Sequence, residues 1–309
     1  MYDVIIIGAG PSGLAAAIYT SRRALKTLVL CNDVGGQVTR TLDIENYPGF
    51  DLISGYDLAK RFRDQAQKFG AEIKTESVKE IKKEGEGAFR IKTAQNEYTA
   101  KAVILAFGKK PRELGVPGEE ALSGRGVTYC ATCDAPFFKG KDVAVVGGGN
   151  SALDAAVLTS KIAKKVYLIH RRNEFRGEQH LIDQVNAAPN IAKILEAEVA
   201  EILGQDKVES IRLKDGRKIN VDGVMVEVGF FVDRSLVQEL VELDAQNQVV
   251  INPVNQQTSV PGIFAAGDLT PTPYKQIVVA AGEGAKAALA AFDYTQHLTG
   301  RRGIIADWH

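Results

Sequence analysis

Two cysteines separated by two residues carry the clearest chemical signal in this sequence of 309 residues, where they form the segment Cys130-Ala131-Thr132-Cys133. This spacing lets the two sulfurs close a disulfide, and such pairs commonly contain one thiol with a lowered pKa whose thiolate attacks other disulfides. Asp134 follows directly and could donate or accept a proton during exchange, although an acid at such a place is often only an exposed cap. We therefore predict a redox-active dithiol, Cys130 and Cys133, with Asp134 as its acid/base.

A zinc site is the rival interpretation of this cysteine pair. Structural zinc needs four ligands, yet the sequence has no second closely spaced cysteine pair and its four histidines show no ligand spacing. Redox chemistry is therefore favoured and no bound metal is expected. The third cysteine, Cys31, follows an apolar stretch and is predicted to be a buried, inert thiol.

A glycine-rich turn near the start of the chain predicts a dinucleotide site. Tyr2 to Ile7 is almost continuously apolar and rich in β-branched residues, which is typical of a strand buried on both faces. Three glycines follow in GxGxxG spacing: Gly8 for the tight turn, Gly10 for close approach of a pyrophosphate and Gly13 for packing of the next helix. Asp33 only approximately matches the ribose-binding acid of such sites, and a solvated loop residue is the alternative.

The same arrangement recurs 147 − 8 = 139 residues later, in the turn Gly147-x-Gly149-x-x-Ala152. An offset of this size indicates a duplicated domain, so we expect two nucleotides in one chain. The predicted elements around the two turns are the helix Leu14 to Arg23, the strand Thr27 to Leu30, the strand Asp142 to Val146, the helix Leu153 to Ile162 and the strand Val166 to Ile169.

The second unit carries arginines where an acid would select NADH. Arg171 and Arg172 follow His170 directly after the second strand, and Arg176 lies four residues beyond Arg172. Guanidinium groups bind a 2′-phosphate that a carboxylate would repel, so NADPH is favoured over NADH, with a solvated basic loop as the alternative. We assign no catalytic role to His170.

Composition bounds the remaining possibilities. Lys plus Arg equals Asp plus Glu at 38 each, so no net field attracts nucleic acid or an anionic membrane. The first apolar run is too short for a membrane span and lacks the basic flank of a signal peptide. We expect a cytoplasmic protein with no nucleic-acid or membrane partner.

The remaining predicted elements are short. Further strands are predicted over Glu72 to Thr75, Phe89 to Thr93 and Lys101 to Ala106, a charged turn over Lys83 to Glu86, and an Ala-rich helix over Gln276 to Phe292.

Together these motifs resemble thioredoxin reductase of the low-molecular-weight bacterial type, from Tyr2 to about Tyr294. The resemblance rests on their order and spacing, and it includes the segments Gly35-Gly36-Gln37, Glu45 to Gly49 and Gly267-Asp268 as well as those above. It implies an α/β fold of two Rossmann-like three-layer dinucleotide-binding domains, with the NADPH domain inserted into the FAD domain. The implied domains are 1–112 and 247–309 for FAD and 113–246 for NADPH and the cysteines, with hinges at Lys109 to Pro117 and near Leu243 to Val249.

The resemblance also implies site residues and a homodimer. For FAD these are Gly8, Gly10, Gly13, Gly36, Gln37, Asn46 and Asp268, with Lys275, Gln276 and Ile277 against the flavin; for NADPH they are Gly147, Gly149, Ser151, Ala152, Arg171, Arg172 and Arg176. Cys133 would lie against the flavin, and Cys130 would attack the disulfide of a thioredoxin-like protein. The alternatives are an NADH-dependent reductase of a peroxidase dithiol domain and a redox sensor that binds FAD without turnover.

Three segments depart from the pattern of this family. Ala106-Phe107-Gly108 stands where Ala-Thr-Gly is usual, so no hydroxyl contact is expected there. The segment Gly229 to Arg234 contains Val232-Asp233 in place of a Pro-Asn pair. The tail from Gly300 to His309 matches no familiar pattern.

Overall fold

The computed structural model describes residues 1–40 and 44–301, without the side chains of residues 40, 132 and 133. The strands are β1 (Tyr2–Ala9), β2 (Thr27–Val34), β3 (Glu72–Thr75), β4 (Val78–Gly85), β5 (Ala88–Thr93), β6 (Glu97–Leu105), β7 (Lys110–Pro111), β8 (Val127–Thr128), β9 (Asp142–Val146), β10 (Lys165–Ile169), β11 (Ile191–Ile194), β12 (Val199–Leu203), β13 (Ser210–Leu213), β14 (Lys218–Asn220), β15 (Gly223–Val226), β16 (Phe230–Phe231) and β17 (Ile263–Ala265). The α-helices are α1 (Pro11–Arg22), α2 (Gly55–Lys68), α3 (Ala131–Asp134), α4 (Asn150–Ser160), α5 (Gln179–Ala187) and α6 (Ile277–His297).

The chain divides into two compact units. Of the described residues, the first contains Met1–Thr39, Glu45–Lys110 and residues 232–301, and the second contains Arg40, Ile44 and Pro111–Phe231. By packing, residues 232–246 therefore belong with the first unit, whereas the sequence prediction placed them in the inserted domain. Val232, Val237 and Val241 are the reason, because all three are buried in a core cluster of the first unit.

The first unit is built on a twisted sheet in the order β3-β2-β1-β6-β5-β4, with β17 also paired to β6. The pairs that involve β1, β2, β3 and β17 are parallel, whereas β4, β5 and β6 form an antiparallel meander. Side chains alternate along β1: Val4 and Ile6 pack with α1 and α6, and Ile5 and Ile7 pack on the other face. Both faces are buried, which explains the continuous apolar run of this strand.

The second unit repeats the parallel arrangement. Its sheet has the order β11-β10-β9-β15-β8, all parallel, and a separate antiparallel sheet has the order β12-β13-β14. Val143 and Val145 on β9 pack against Leu153 of α4, and Ala144 and Val146 pack on the opposite face. In both units, the carboxyl end of the central strand thus opens into a glycine turn and a helix.

One predicted turn is wrong in part. Lys83 to Glu86 was predicted as a charged turn, but Lys83 and Glu84 belong to β4, and the chain reverses only at Glu86 and Gly87. The strand tolerates these charges because both residues are exposed. Within residues 1–40 and 44–301, no helix is long and apolar enough to cross a membrane.

Candidate functional site

The first glycine turn joins β1 to α1 and leaves space for a phosphate. A Cβ on Gly8 would lie 2.4 Å from the Ala106 carbonyl oxygen, and one on Gly13 would lie 1.9 Å from the Gly8 carbonyl oxygen. These two positions therefore exclude any side chain. Gly10, the N-cap of α1, has nothing within 4 Å of such a Cβ. The open space borders the first N–H groups of α1, which is where an anion binds a helix.

Of the other residues predicted for the same nucleotide, Gly36 lies beside this turn. A Cβ on Gly36, whose φ is +58°, would lie 3.6 Å from Gly10 Cα. The Asn46 Nδ2 donates to Gln276 Oε1 at 3.3 Å, so two predicted residues far apart in sequence meet. Gln37 Nε2 instead donates to the Lys109 carbonyl oxygen at 2.6 Å. An apolar depression beside α1 is lined by Pro11, Leu14, Gly35, Val38, Leu58, Ala59, Phe62 and Ile277.

Asp268 and Lys275 form a half-buried charged group in the first unit. Burial raises the pKa of Asp268, and the nearby charges of Lys275 and Lys109 oppose that rise. Burial lowers the pKa of Lys275, whose Nζ donates to the Thr270 carbonyl oxygen at 2.7 Å. The sequence prediction has Asp268 in contact with FAD, and a carboxylate can accept a hydroxyl hydrogen bond from such a nucleotide.

Glu283 on α6 fixes the turn before Asp268, and the sequence prediction missed it. Its buried carboxylate accepts the Gly267 N–H at 2.7 Å and the hydroxyl of Thr272. The same turn packs closely on α1, since a Cβ on Gly267 would lie 2.7 Å from Ser12 Oγ. The available signal was an acid between Gly282 and Gly284 in an otherwise Ala-rich helix.

The second glycine turn has the same geometry in the other unit. A Cβ on Gly147 would lie 2.3 Å from the Glu227 carbonyl oxygen and 2.7 Å from the Cβ of Ala152. Gly149, the N-cap of α4, again has nothing within 4 Å. Ser151 is exposed in the first turn of α4. Both turns therefore fit a dinucleotide, because each leaves open space at its middle glycine and a helix N-terminus beside it.

The three predicted arginines surround a buried histidine. His170 directly follows β10, and burial lowers its pKa, with the charges of Arg176, Arg172 and Arg171 acting in the same direction. The loop folds onto the glycine turn, because the Arg176 N–H donates to the Gly148 carbonyl oxygen at 2.8 Å. The arginines are exposed, and within the described residues no carboxylate lies at ion-pair distance from them. They are thus available to an anionic group.

In the second unit, Cys130 lies between β8 and α3, and the rest of the dithiol segment belongs to α3. Cys130 is disulfide-bonded, whereas Cys31 is a buried free thiol, as its sequence context predicted. The side chain of Cys133 lies outside the described part of the chain. The Thr128 hydroxyl connects two members of the segment: it accepts the Cys130 N–H at 3.1 Å and donates to Asp134 Oδ2. Asp134 is buried rather than an exposed cap.

Two further buried or half-buried acids border this segment, and the sequence prediction missed both. Glu119 accepts the backbone N–H groups of Leu114 and Gly115 at 2.9 and 2.8 Å, and the Tyr129 hydroxyl at 3.1 Å. Glu227 accepts the Ala131 N–H at 3.3 Å. Burial, with Asp154 nearby, raises the pKa of Glu227 to about 7. Its signal was an acid at the carboxyl end of an apolar parallel strand, where sites of α/β folds lie.

The departures from the family pattern have structural roles. Phe107 is half-buried against the core of the first unit. Val232 is buried in the same core, and the Asp233 carboxylate accepts the N–H and hydroxyl of Ser235 at 3.3 and 2.7 Å, at the start of a 3-10 helix. Residues 302–309 of the unfamiliar tail lie outside the described residues.

Comparisons with known proteins place this geometry among disulfide reductases. The model of the family described as pyridine nucleotide-disulphide oxidoreductase matches residues 2–284. A thioredoxin reductase from Mycolicibacterium smegmatis is 42% identical over 298 residues, which cover 94% of this chain and 96% of that protein. A component of the alkyl hydroperoxide reductase of Pseudomonas putida is 40% identical over 302 residues, covering 95% of this chain and 58% of that protein. The crystal structure of thioredoxin reductase from Streptococcus pyogenes MGAS5005 matches with a TM-score of 0.90 at 39% identity and covers 96% of this chain and 99% of its own.

Proposed function

Because this chain belongs to the pyridine nucleotide-disulphide oxidoreductase family, in its thioredoxin reductase group, we propose that it reduces the disulfide of a thioredoxin-like protein with electrons from NADPH. The family, the α/β fold class and the enzyme class predicted from the sequence are confirmed. FAD and NADPH are the cofactors of this family. We assign FAD to the first unit and NADPH to the second.

The observation that supports the proposal is that the disulfide-bonded Cys130 and an arginine-bordered glycine turn both lie in the second unit. Cys130 is disulfide-bonded there, and the same unit holds a glycine turn bordered by three exposed arginines. A 2′-phosphate matches those arginines because guanidinium groups bind phosphate through charge-assisted hydrogen bonds. In the first unit, the described residues at the end of β2, Asn32 to Val34, include no arginine, so we assign FAD to the first glycine turn.

The chemistry of the dithiol follows from its surroundings. Bound FAD supplies the conversion of hydride from NADPH into the two electrons that open the disulfide. We propose that Cys130 then attacks the partner disulfide as a thiolate and that Cys133 resolves the mixed disulfide. Asp134, buried and held by the Thr128 hydroxyl, stands close to Cys130 in the chain and is proposed to exchange the proton.

A stopped-flow experiment tests this proposal. Cys133→Ser should leave flavin reduction by NADPH intact and abolish NADPH-driven reduction of thioredoxin disulfide. Cys31→Ser is the matched control, because that thiol is free and buried, and it should retain turnover. Unchanged turnover in Cys133→Ser contradicts the scheme.

A reductase of a peroxidase dithiol domain is the second candidate, since a component of an alkyl hydroperoxide reductase is 40% identical to this chain. An NADH preference would favour that function, and the exposed arginines oppose it. Comparing kcat/KM for NADPH and NADH, with thioredoxin and with a peroxidase dithiol domain as acceptors, separates the two.

Assembly and location complete the proposal. A homodimer is implied by the resemblance and is checked by light scattering. The cysteine usage supports a cytoplasmic location, because a free thiol and a reducible pair suit a compartment that keeps thiols reduced.

A further inference from the structure

Glu227 occupies the point where the second glycine turn and the dithiol segment come together. It directly follows β15, and its backbone N–H donates to the Val146 carbonyl oxygen at 2.8 Å. Its own carbonyl oxygen lies 2.3 Å from where a Cβ on Gly147 would stand. The backbone of Glu227 is therefore fixed by the end of β9 and by the glycine turn.

The carboxyl group of Glu227 reaches the dithiol segment. Its Oε1 accepts the N–H of Ala131 at 3.3 Å, which belongs to the peptide that joins Cys130 to Ala131. On the other side, the Cys130 N–H donates to the Thr128 hydroxyl at 3.1 Å. The backbone of Cys130 is thus held from both sides, and one of the two holding groups is ionisable.

The surroundings of Glu227 make its charge sensitive to other charges. Burial, opposed by the Ala131 hydrogen bond and increased by Asp154 on α4, brings its pKa to about 7. The other titratable or charged groups on the neighbouring elements are Cys130 and Asp134 on the dithiol segment and, beyond the glycine turn, His170 with its arginines. Within the described residues, no lysine or arginine forms an ion pair with Glu227.

We propose that Glu227 is a positioning residue for Cys130 whose carboxylate takes up a proton when the disulfide is reduced and releases it when the disulfide re-forms. This inference rests on the proposed function, in which Cys130 is the attacking thiol. Reduction breaks the S–S bond with two electrons from NADPH and leaves one thiol and one thiolate. The second proton resides on Glu227, because a new negative charge at Cys130 disfavours the neighbouring carboxylate.

The return step balances in the same way. The Cys130 thiolate attacks the partner disulfide, the mixed disulfide is resolved, and the enzyme disulfide re-forms with loss of two electrons to the partner. The thiol proton and the Glu227 proton leave with those electrons, so the partner ends as a dithiol and Glu227 as a carboxylate. Glu227 thereby keeps the net charge of the segment equal in its oxidised and reduced forms.

Infrared difference spectroscopy tests the proton transfer directly. In the electrochemically reduced wild-type holoenzyme, at a pH one unit above the pKa of Glu227, a carboxylic acid carbonyl band should appear on reduction. The band should be absent in Glu227→Gln, which keeps the acceptor for the Ala131 N–H and removes the ionisable group. Asp154→Asn should retain it, and Cys133→Ser, in which flavin is reduced without a disulfide, should lack it.

A second measurement does not depend on turnover or on flavin reduction. In a Cys133→Ser background, the alkylation rate of Cys130 is followed against pH by mapping the modified peptide. Because Glu227 is about half ionised near pH 7, replacing it with Gln should raise the thiolate fraction of Cys130 there by at most about twofold and lower the midpoint of the profile by less than about one pH unit. A purely structural role would leave the shape and midpoint of this profile unchanged.

The outcomes distinguish this inference from the proposed function. Identical infrared spectra and superimposable alkylation profiles in wild type and Glu227→Gln would overturn the role of Glu227, even if thioredoxin reduction proceeds. The converse result is also informative. If the wild type shows the infrared band and its alkylation profile differs from that of Glu227→Gln, but the enzyme does not reduce thioredoxin, then the proposed function is refuted and the proton coupling stands.

Discussion

The imidazole ring of His170 lies against Gly148 so closely that a Cβ on that glycine would be 2.3 Å from ring Nδ1 and Cε1. His170 immediately precedes Arg171, and the Gly148 carbonyl oxygen accepts the Arg176 N–H at 2.8 Å. Gly148 therefore fixes the basic loop against the turn that we assign to the pyrophosphate, although neither Gly148 nor His170 was predicted as a site residue.

The first prediction concerns this contact. Gly148→Ala should push His170 and the loop away from the turn, and we expect the KM for NADPH to rise about tenfold, the scale of lost positioning contacts. Flavin content should not change, because FAD is assigned to the other unit. Gly85→Ala serves as the control, since the nearest atom to a Cβ there is 3.9 Å away. An unchanged KM would show that the loop does not need this packing.

The second prediction separates folding from binding at the first turn. Gly10→Ala should fold normally, because its Cβ meets no atom within 4 Å, yet the methyl group would occupy the space assigned to the pyrophosphate. Gly13→Ala should lower the melting temperature even without flavin, because its Cβ would lie 1.9 Å from a carbonyl oxygen. Flavin absorbance per chain and melting of the apoprotein are the measurements. Full flavin occupancy in Gly10→Ala would show that the pyrophosphate does not bind in the space beside Gly10.

The third prediction concerns cofactor choice. Arg176→Ala should lower kcat/KM for NADPH about tenfold and leave that for NADH nearly unchanged, since only NADPH carries a 2′-phosphate. Arg212→Ala is a suitable control, because that arginine pairs with Glu201 on the antiparallel sheet of the same unit. Equal losses with both nucleotides would indicate that Arg176 supports the loop rather than the phosphate.

The parts of the fold that could be predicted from the sequence are those that depend on residues close together in the chain. The glycine turns were predictable because backbone contacts at Gly8, Gly13 and Gly147 exclude a side chain, and their flanking strands because burial on both faces demands apolar runs. The charged strand β4 was missed because its exposed charges resemble a turn. The second boundary was placed too far along the chain because Val232 and its neighbours carry no turn signal.

Single acids that act through tertiary contacts were beyond the sequence prediction. Glu119, Glu227 and Glu283 each accept backbone N–H groups, but the partners are fixed by the fold and not by a spacing. Glu227 and Ala131, for example, are brought together only because β15 and β8 are neighbours in the sheet. Asp134, in contrast, was predicted as a site residue because it adjoins a cysteine in the chain, and its role stays a prediction.

The fourth prediction tests one of these acids. Glu283→Ala leaves the buried Gly267 N–H without its acceptor, which should cost about 1–3 kcal/mol of unfolding free energy. Flavin retention should fall too, since Asp268 follows that turn. Glu283→Gln, which retains an acceptor oxygen, should lose less. Urea denaturation of the two variants, with flavin release followed by fluorescence, provides the comparison, and equal stabilities would contradict the role of Glu283.

The fifth prediction concerns pH. Burial and the arginines lower the pKa of His170 in the folded protein. As pH falls, His170 is therefore protonated at a higher pH in the unfolded chain than in the folded protein. The free energy of unfolding should therefore be unaffected by His170 well above about pH 6.5 and should decrease below it. In His170→Gln this decrease should be smaller. Urea denaturation of both proteins across this range measures the difference, and parallel pH curves would exclude His170 as the source.

The burial of Cys31 has a practical consequence for anyone who counts thiols in this enzyme. Its Sγ lies 3.7 Å from the Lys74 carbonyl oxygen, and burial, with the charge of Asp33, raises its pKa to about 11. A thiol so rarely ionised reacts slowly with maleimides or aromatic disulfide reagents. In the native protein, such reagents should therefore report the oxidation state of the Cys130 segment with little background, and a third equivalent of label should appear only on unfolding.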